Sequence, residues 1–201
     1  IIAVAAYVRF YGLTQKGLFE FDEGSNAIRV RTYATLVRAL PDLITGHVVE
    51  QDLKTWSRGA FPSGFFPTMG SYPAFMIPSI FVSLVFGDHD WAMFSWNAFL
   101  GTLAVLIVYL LVRRISGKAY LGLLASLLLA LSPYAVMYAR MALPHNSAGF
   151  FFTLAAWLYV ESLYSVERVR YRFLFGCGVA LALAAASHYG VSFAIGFFAL
   201  F

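Results

Sequence analysis

From Trp91 to Val112 the chain runs without a charged residue, and then it closes on Arg113-Arg114. About 20 apolar residues in a helix are enough to cross the hydrocarbon core of a bilayer. Only a helix or a closed barrel keeps every backbone N–H and C=O satisfied there. The run has company: Ala119–Ala139 and Ser147–Tyr164 follow, then Phe173–Tyr189, continued by Gly190–Phe201, with short polar turns between them. The chain is 61% hydrophobic and 12% charged, whereas soluble domains carry roughly 25% charged residues. The sequence therefore predicts an all-α fold, a polytopic transmembrane helix bundle. The net charge of +4 is spread beside the apolar runs, which points to membrane orientation rather than nucleic-acid binding. The single cysteine, Cys177, excludes an intrachain disulfide and a cysteine-based metal site.

Residues 1–201 read as one transmembrane domain, the amino-terminal part of a longer membrane domain, since the chain starts and stops in apolar sequence. Ile1–Leu13 reads as the tail of a first span, with Arg9 snorkelling to the interface. Residues 14–71 form a long first external loop. Within it, Ala27, Val30, Ala34, Val37 and Leu40 share one helical face, while Arg31, Thr35, Arg38 and Asp42 share another. That pattern predicts an interfacial amphipathic helix with its basic face toward headgroups. Asp22 caps its start, Glu23 lies in the first turn, and Pro41 marks its end. Gly46–Ser71 is Gly/Pro-rich and aromatic, a functional loop by its length. Tyr72–Gly87 is apolar but only 16 residues long, with Pro73 and Pro78 inside. It is too short to cross and reads as re-entrant or interfacial. Asp88-His89-Asp90 reads as an exposed loop rather than a metal site.

Seven Lys/Arg but only two Asp/Glu follow residue 90, and six of the seven fall in two loops, Arg113–Lys118 and Arg168–Arg172. The excess of positive charge puts both loops in the cytoplasm, and the two spans between them fit that. The turn Arg140–Asn146 is then external. With Tyr72–Gly87 not crossing, Asp22 is external too, level with His145.

Three polar clusters could carry chemistry. Asp22 and Glu23 could be a helix cap with a first-turn acid, or a general base kept ionised by the helix N-terminus. Arg140 ends a span on the outer side, as a snorkelling anchor or as a guanidinium that grips a lipid phosphate. Nearby His145 is a loop residue or a proton-shuttling neighbour of Asp22. Ser187-His188-Tyr189-Gly190 interrupts an apolar run, either for a helix–helix hydrogen bond or for a site. No phosphate-binding loop, dinucleotide fingerprint or His-Glu-x-x-His is present.

The order of these features resembles the membrane-embedded GT-C glycosyltransferases, specifically the group of dolichyl-phosphate-mannose protein mannosyltransferases and lipid A aminoarabinose transferases. Phe21-Asp22-Glu23-Gly24 with Ala27-Ile28-Arg29 resembles that group's acidic motif in the first external loop. Gly70-Ser71-Tyr72-Pro73-Ala74-Phe75 stands where the group has a His/Lys-Pro-Pro-Leu stretch, and Ser71-Tyr72 departs from it. Tyr138-Ala139-Arg140-Met141-Ala142-Leu143-Pro144 resembles its Arg and Leu-Pro-Asp turn, with His145 where the acid stands. Ala186-Ser187-His188-Tyr189-Gly190 sits at a Thr-Lys-Tyr-like stretch.

The resemblance implies inverting transfer of a hexosyl or pentosyl group from a polyprenyl-phosphate carrier to an acceptor it leaves unspecified. The reaction is expected at the external face of a plasma (cytoplasmic) membrane. The catalytic residues it implies are Asp22, as base, and Glu23. Arg29, Tyr72, Arg140, His145 and His188 are implied to bind substrate or carrier. The expected partners are the lipid-linked sugar and membrane lipid, with no nucleic acid. No residue is assigned to a metal, and a divalent cation is the one cofactor left open. The alternatives are a transporter or a carrier-binding protein on the same scaffold, or a member that binds the carrier without transfer. No acid falls in mid-span, since Glu161 is near a span end, and this favours the enzyme over a coupled transporter.

Overall fold

The computed structural model describes residues 1–18, 21–45 and 72–188. The expected loop over 46–71 and the helical continuation beyond His188 lie outside these residues. The described residues form eight α-helices. These are α1 (Ile2–Phe10), α2 (Phe21–Thr45), α3 (Pro73–Phe86), α4 (Asp90–Ser116), α5 (Ala119–Leu131), α6 (Pro133–Ala139), α7 (His145–Leu163) and α8 (Glu167–Ser187), with a 3-10 turn at Leu13–Gln15.

Helix α4 is the axis of the molecule and touches α1, α2, α3, α5, α6 and α7. Its 27 residues, at about 1.5 Å per residue, reach ~40 Å, more than the hydrocarbon core requires. It ends at Gly117, whose φ of 68° brings its N–H onto the Arg113 carbonyl at 2.9 Å. That left-handed conformation favours glycine, and Arg113 and Arg114 in the last turn complement the helix dipole. By length and apolarity α4 and α8 are candidate spans, and the α5–α6 pair is a third if its two halves count as one. Helix α7, expected as a span over Ser147–Tyr164, is not among them. His145, Asn146 and Glu161 make its ends polar, and it packs between α4 and α8.

The expected single span over Ala119–Ala139 is bent by 60° at Ser132. Pro133 has no N–H, so the Leu129 carbonyl loses its helical donor. Arg9 replaces it: Nη2 donates to the Leu129 carbonyl at 3.2 Å, and Nη1 donates to the Ala130 carbonyl at 3.2 Å and the Ala5 carbonyl at 3.1 Å. Arg9 is therefore fully buried rather than snorkelling. A freed carbonyl away from water needs a donor, and this one comes from α1. Gly101 of α4 makes room for the joint. A Cβ there would lie 2.7 Å from the Ala139 Cβ and 3.0 Å from the Arg9 Nε.

Helix α2 also departs from expectation. Ala27, Val30 and Ala34 are buried against Phe75, Met76 and Ile80 of α3 and Met93 and Phe94 of α4. Val37 and Leu40, on the same expected face, are exposed. Pro41 does not end the helix, which continues to Thr45; the hydrogen bond it removes is near an exposed end. Asp22, expected as the cap, is the second residue of the helix and lies in its first turn beside Glu23. The basic face does not point to headgroups at Arg31 and Arg38. Arg31 pairs with Asp90, and Arg38 donates to Asp88 Oδ2 at 2.6 Å and to the Ser83 carbonyl at 2.8 Å. The Asp88–Asp90 segment is thus the acidic partner of α2, which the opposite charges of two distant segments favour. The Arg38 hydrogen bond holds the Asp88 carboxyl below its ordinary range, assisted by the Ser83 hydroxyl at 2.7 Å. Helix α3 has 14 residues, about 21 Å at the α-helical rise. That is short of a roughly 30 Å core, as its prolines suggest.

Candidate active site

The helices run so that two ends of the bundle differ. At one end Arg114 of α4 pairs with Glu161 of α7 at 3.2 Å, beside the basic loops. At the other end α7 begins at His145 and α8 ends at Ser187, just before His188; the two histidine ring centroids are 4.4 Å apart. A cavity of about 140 Å³ opens at this second end, lined by Asp22, Ser25, Asn26, Arg29, Tyr72, Leu143, Pro144 and His145.

Four of the seven residues expected from the sequence, Asp22, Arg29, Tyr72 and His145, meet in this cavity. Asp22 and Arg29 lie about two turns apart on α2 and on one side of the helix. Tyr72 arrives from the residue that precedes α3. His188 does not line the cavity. It stacks on Tyr72, with centroids 5.9 Å apart and planes within 10°, and meets His145 with the rings tilted by 39°. The rings of Tyr72, His188, His145 and Tyr138 form a continuous series beside the opening.

Glu23 and Arg140 are directed elsewhere. Adjacent helical residues point about 100° apart, so Glu23 turns inward where Asp22 faces the cavity. It is fully buried and accepts from the Ala142 N–H at 2.8 Å and from Lys16 Nζ at 3.1 Å. The ammonium of Lys16 in turn sits 4.1 Å above the Phe94 ring. Arg140 donates to the Val8 carbonyl at 3.0 Å, one of the last-turn carbonyls of α1 that lack a helical partner. Both side chains serve the fold around the site, and neither lines the cavity.

The wall opposite α2 is the turn between α6 and α7. Asn26 donates to the Ala142 carbonyl at 2.9 Å. Asn97 of α4 donates to the Met141 carbonyl at 2.7 Å and the Leu143 carbonyl at 2.6 Å. Sequence reading did not single out Ser25, Asn26 or Asn97. Asn97 had one signal that could have found it: a polar amide within a charge-free apolar run. Among the described residues no three His, Cys, Asp or Glu side chains gather as metal ligands.

The arrangement joins one carboxylate, one guanidinium, hydroxyl and amide groups, and a wall of rings. The first turns of α2 and α7 also meet there, and helix N-termini favour negative charge. Such a site can hold an anionic group at Arg29 and accept a proton at Asp22.

The family model of dolichyl-phosphate-mannose-protein mannosyltransferase matches residues 73–201. The match takes in α3 to α8 and starts downstream of Asp22. An uncharacterized protein of Aquifex aeolicus (strain VF5) is 36% identical over 77 residues, 38% of this chain and 15% of that protein. YkcB of Bacillus subtilis (strain 168), provisionally named a mannosyltransferase, is 29% identical over 113 residues, 56% of this chain and 16% of that protein. The matched stretches thus span about one sixth of these relatives. No solved structure matches the chain.

Proposed function

The chain belongs to the dolichyl-phosphate-mannose-protein mannosyltransferase family, and on that premise we propose that it transfers a sugar from a polyprenyl-phosphate-linked donor to an acceptor hydroxyl or amine, with inversion. Asp22 is the base. It takes the proton as the acceptor attacks the anomeric carbon. The new acceptor–carbon bond forms as the carbon–oxygen bond to phosphate breaks on the opposite face, and polyprenyl phosphate leaves. Arg29 holds the carrier phosphate and offsets the charge that builds on it, with His145 and His188 beside it. Tyr72 bounds the sugar. The scheme asks the protein mostly for positioning, a base and a cation.

The observation that carries this reading is the convergence of Asp22 and Arg29 of α2 with Tyr72 and His145, residues far apart in the sequence, on one cavity. Its position at the end of the bundle away from Arg113–Lys118 and Arg168–Arg172 supports an external site, since basic loops mark the cytoplasmic side. Glu23 is then a residue that secures the site, and Arg140 a residue that joins α1 to it.

The test uses the full-length protein reconstituted with polyprenyl-phosphate-mannose and a panel of other lipid-linked sugars. We expect free polyprenyl phosphate to appear with at least one donor, and the product to carry the opposite anomeric configuration by NMR. Retention of configuration would remove the single-displacement mechanism. No release across the panel would remove the enzyme.

A further inference from the structure

Asn97 sits on the longest apolar helix, with no solvent exposure at all. Its amide makes three of its four possible hydrogen bonds. Both N–H bonds go to the turn, on the Met141 and Leu143 carbonyls, and its oxygen accepts from the Ser147 hydroxyl at 2.9 Å. Its backbone carbonyl also accepts from Asn146 Nδ2 at 2.8 Å. On the other side of the same turn, Glu23 takes the Ala142 N–H and Asn26 takes the Ala142 carbonyl. Three successive peptide groups outside any helix are therefore gripped by side chains of α2 and α4.

We propose that Asn97 is a positioning residue for transfer: it clamps Met141–Leu143 so that Leu143, Pro144 and His145 face Asp22 across the cavity. The physical need is plain. Residues 141–143 cannot use helical hydrogen bonds, and their backbone is buried, so each carbonyl requires a donor from elsewhere. A clamp with two donors on residues i and i+2 fixes the direction of the chain between them. The next residues are Pro144, whose φ is nearly fixed, and His145, which starts α7. The direction set at 141–143 is thereby passed to the cavity wall. The Met141 and Leu143 carbonyls can only accept, so they fix the amide NH2 toward the turn and leave its oxygen to the Ser147 hydroxyl.

The inference rests on the transferase reading, and its test has one arm that does not. In the full-length protein, with Cys177 replaced by Ala, cysteines at positions 22 and 145 report the width of the cavity through cross-linking with a short bifunctional reagent. Asn97→Leu keeps the branched shape and removes both donors. We expect the cross-link to fall severalfold in that background, with membrane insertion unchanged. In the cysteine-free protein that keeps Asp22 and His145, kcat should drop by about 100-fold, the loss that a misplacement of about 1 Å can cause, while KM for the lipid donor stays near its normal value. Ser147→Ala, which leaves both donors but takes away the partner of the buried amide oxygen, should lower kcat by a smaller factor; it serves as the test if Asn97→Leu does not insert.

Unchanged cross-linking and kcat in a well-inserted Asn97→Leu protein overturn the proposal, as does an unchanged Ser147→Ala protein where that variant is the test. A loss of stability with an unchanged cross-link makes Asn97 a packing residue only, and also overturns it. A parent protein that turns over no lipid-linked sugar fails the transferase reading, and the cross-linking arm still decides whether Asn97 sets the cavity.

Discussion

Replacing Arg9 by leucine removes the donors at the break between α5 and α6. Two carbonyls lose their partners, the buried Ala130 carbonyl and the part-buried Leu129 carbonyl. A buried unsatisfied polar group costs about 1–3 kcal/mol, so the two together cost about 2–6 kcal/mol. Removing a charge that was held away from water returns part of this. The net loss should be about 3 kcal/mol. The assay is unfolding of the full-length protein in mixed micelles, followed by circular dichroism, in a cycle with Pro133→Ala. The alanine restores an N–H four residues after Leu129, so the Leu129 carbonyl has a local donor when Arg9 is gone. Arg9→Leu should therefore cost about 1 kcal/mol less in the Pro133→Ala background. Equal losses in the two backgrounds would refute the idea that Arg9 substitutes for the donor Pro133 lacks. No loss in either would refute its bracing role altogether.

Two further expectations concern the charged side chains of α2 and their counterparts. The Asp88 carboxyl is held low by Arg38, so the pair adds stability above the unfolded carboxylate range near pH ~4. That contribution is lost as pH falls through the still lower folded value. Asp88→Asn should flatten the acid limb of a stability–pH curve, and the effect should shrink with salt because both side chains are over a third exposed. Arg29→Ala should raise the donor KM by about 10–100-fold, the loss of charge-assisted hydrogen bonds to a phosphate. Arg140→Ala, whose partner is the Val8 carbonyl, should raise it far less and lower the melting temperature instead; the reverse order would reassign the phosphate.

The parts of this fold that local physics decides were legible in the sequence. Charge-free runs gave α4 and α8, and the spacing of Ala27, Val30 and Ala34 gave the buried face of α2. The prolines of Tyr72–Gly87 gave a helix too short to cross. What was not legible depends on distant partners. Arg31 and Arg38 look like a headgroup-facing stripe until Asp90 and Asp88, 59 and 50 residues away, are brought beside them. Arg9 looks like a snorkelling residue because nothing nearby announces the carbonyls of Leu129 and Ala130. Asp22 and Glu23 are alike in sequence and diverge only through the helical rotation that turns one to the cavity and the other to Ala142. His145 and His188 were each singled out, yet their contact depends on α7 and α8 forming an antiparallel pair, with Ala155 packed against Cys177 and Ala180.

The proposed transfer depends above all on Asp22 deprotonating the acceptor. The most direct measurement is single-turnover transfer by Asp22→Asn, compared with the parent protein at equal, verified insertion and equal donor binding. Asparagine keeps the shape and cannot take the proton. Donor binding should stay within a few-fold of normal, and the transfer rate should fall by about 100- to 10,000-fold, the usual contribution of a positioned base. Transfer at the parent rate, with the donor bound as before, would contradict that role for Asp22.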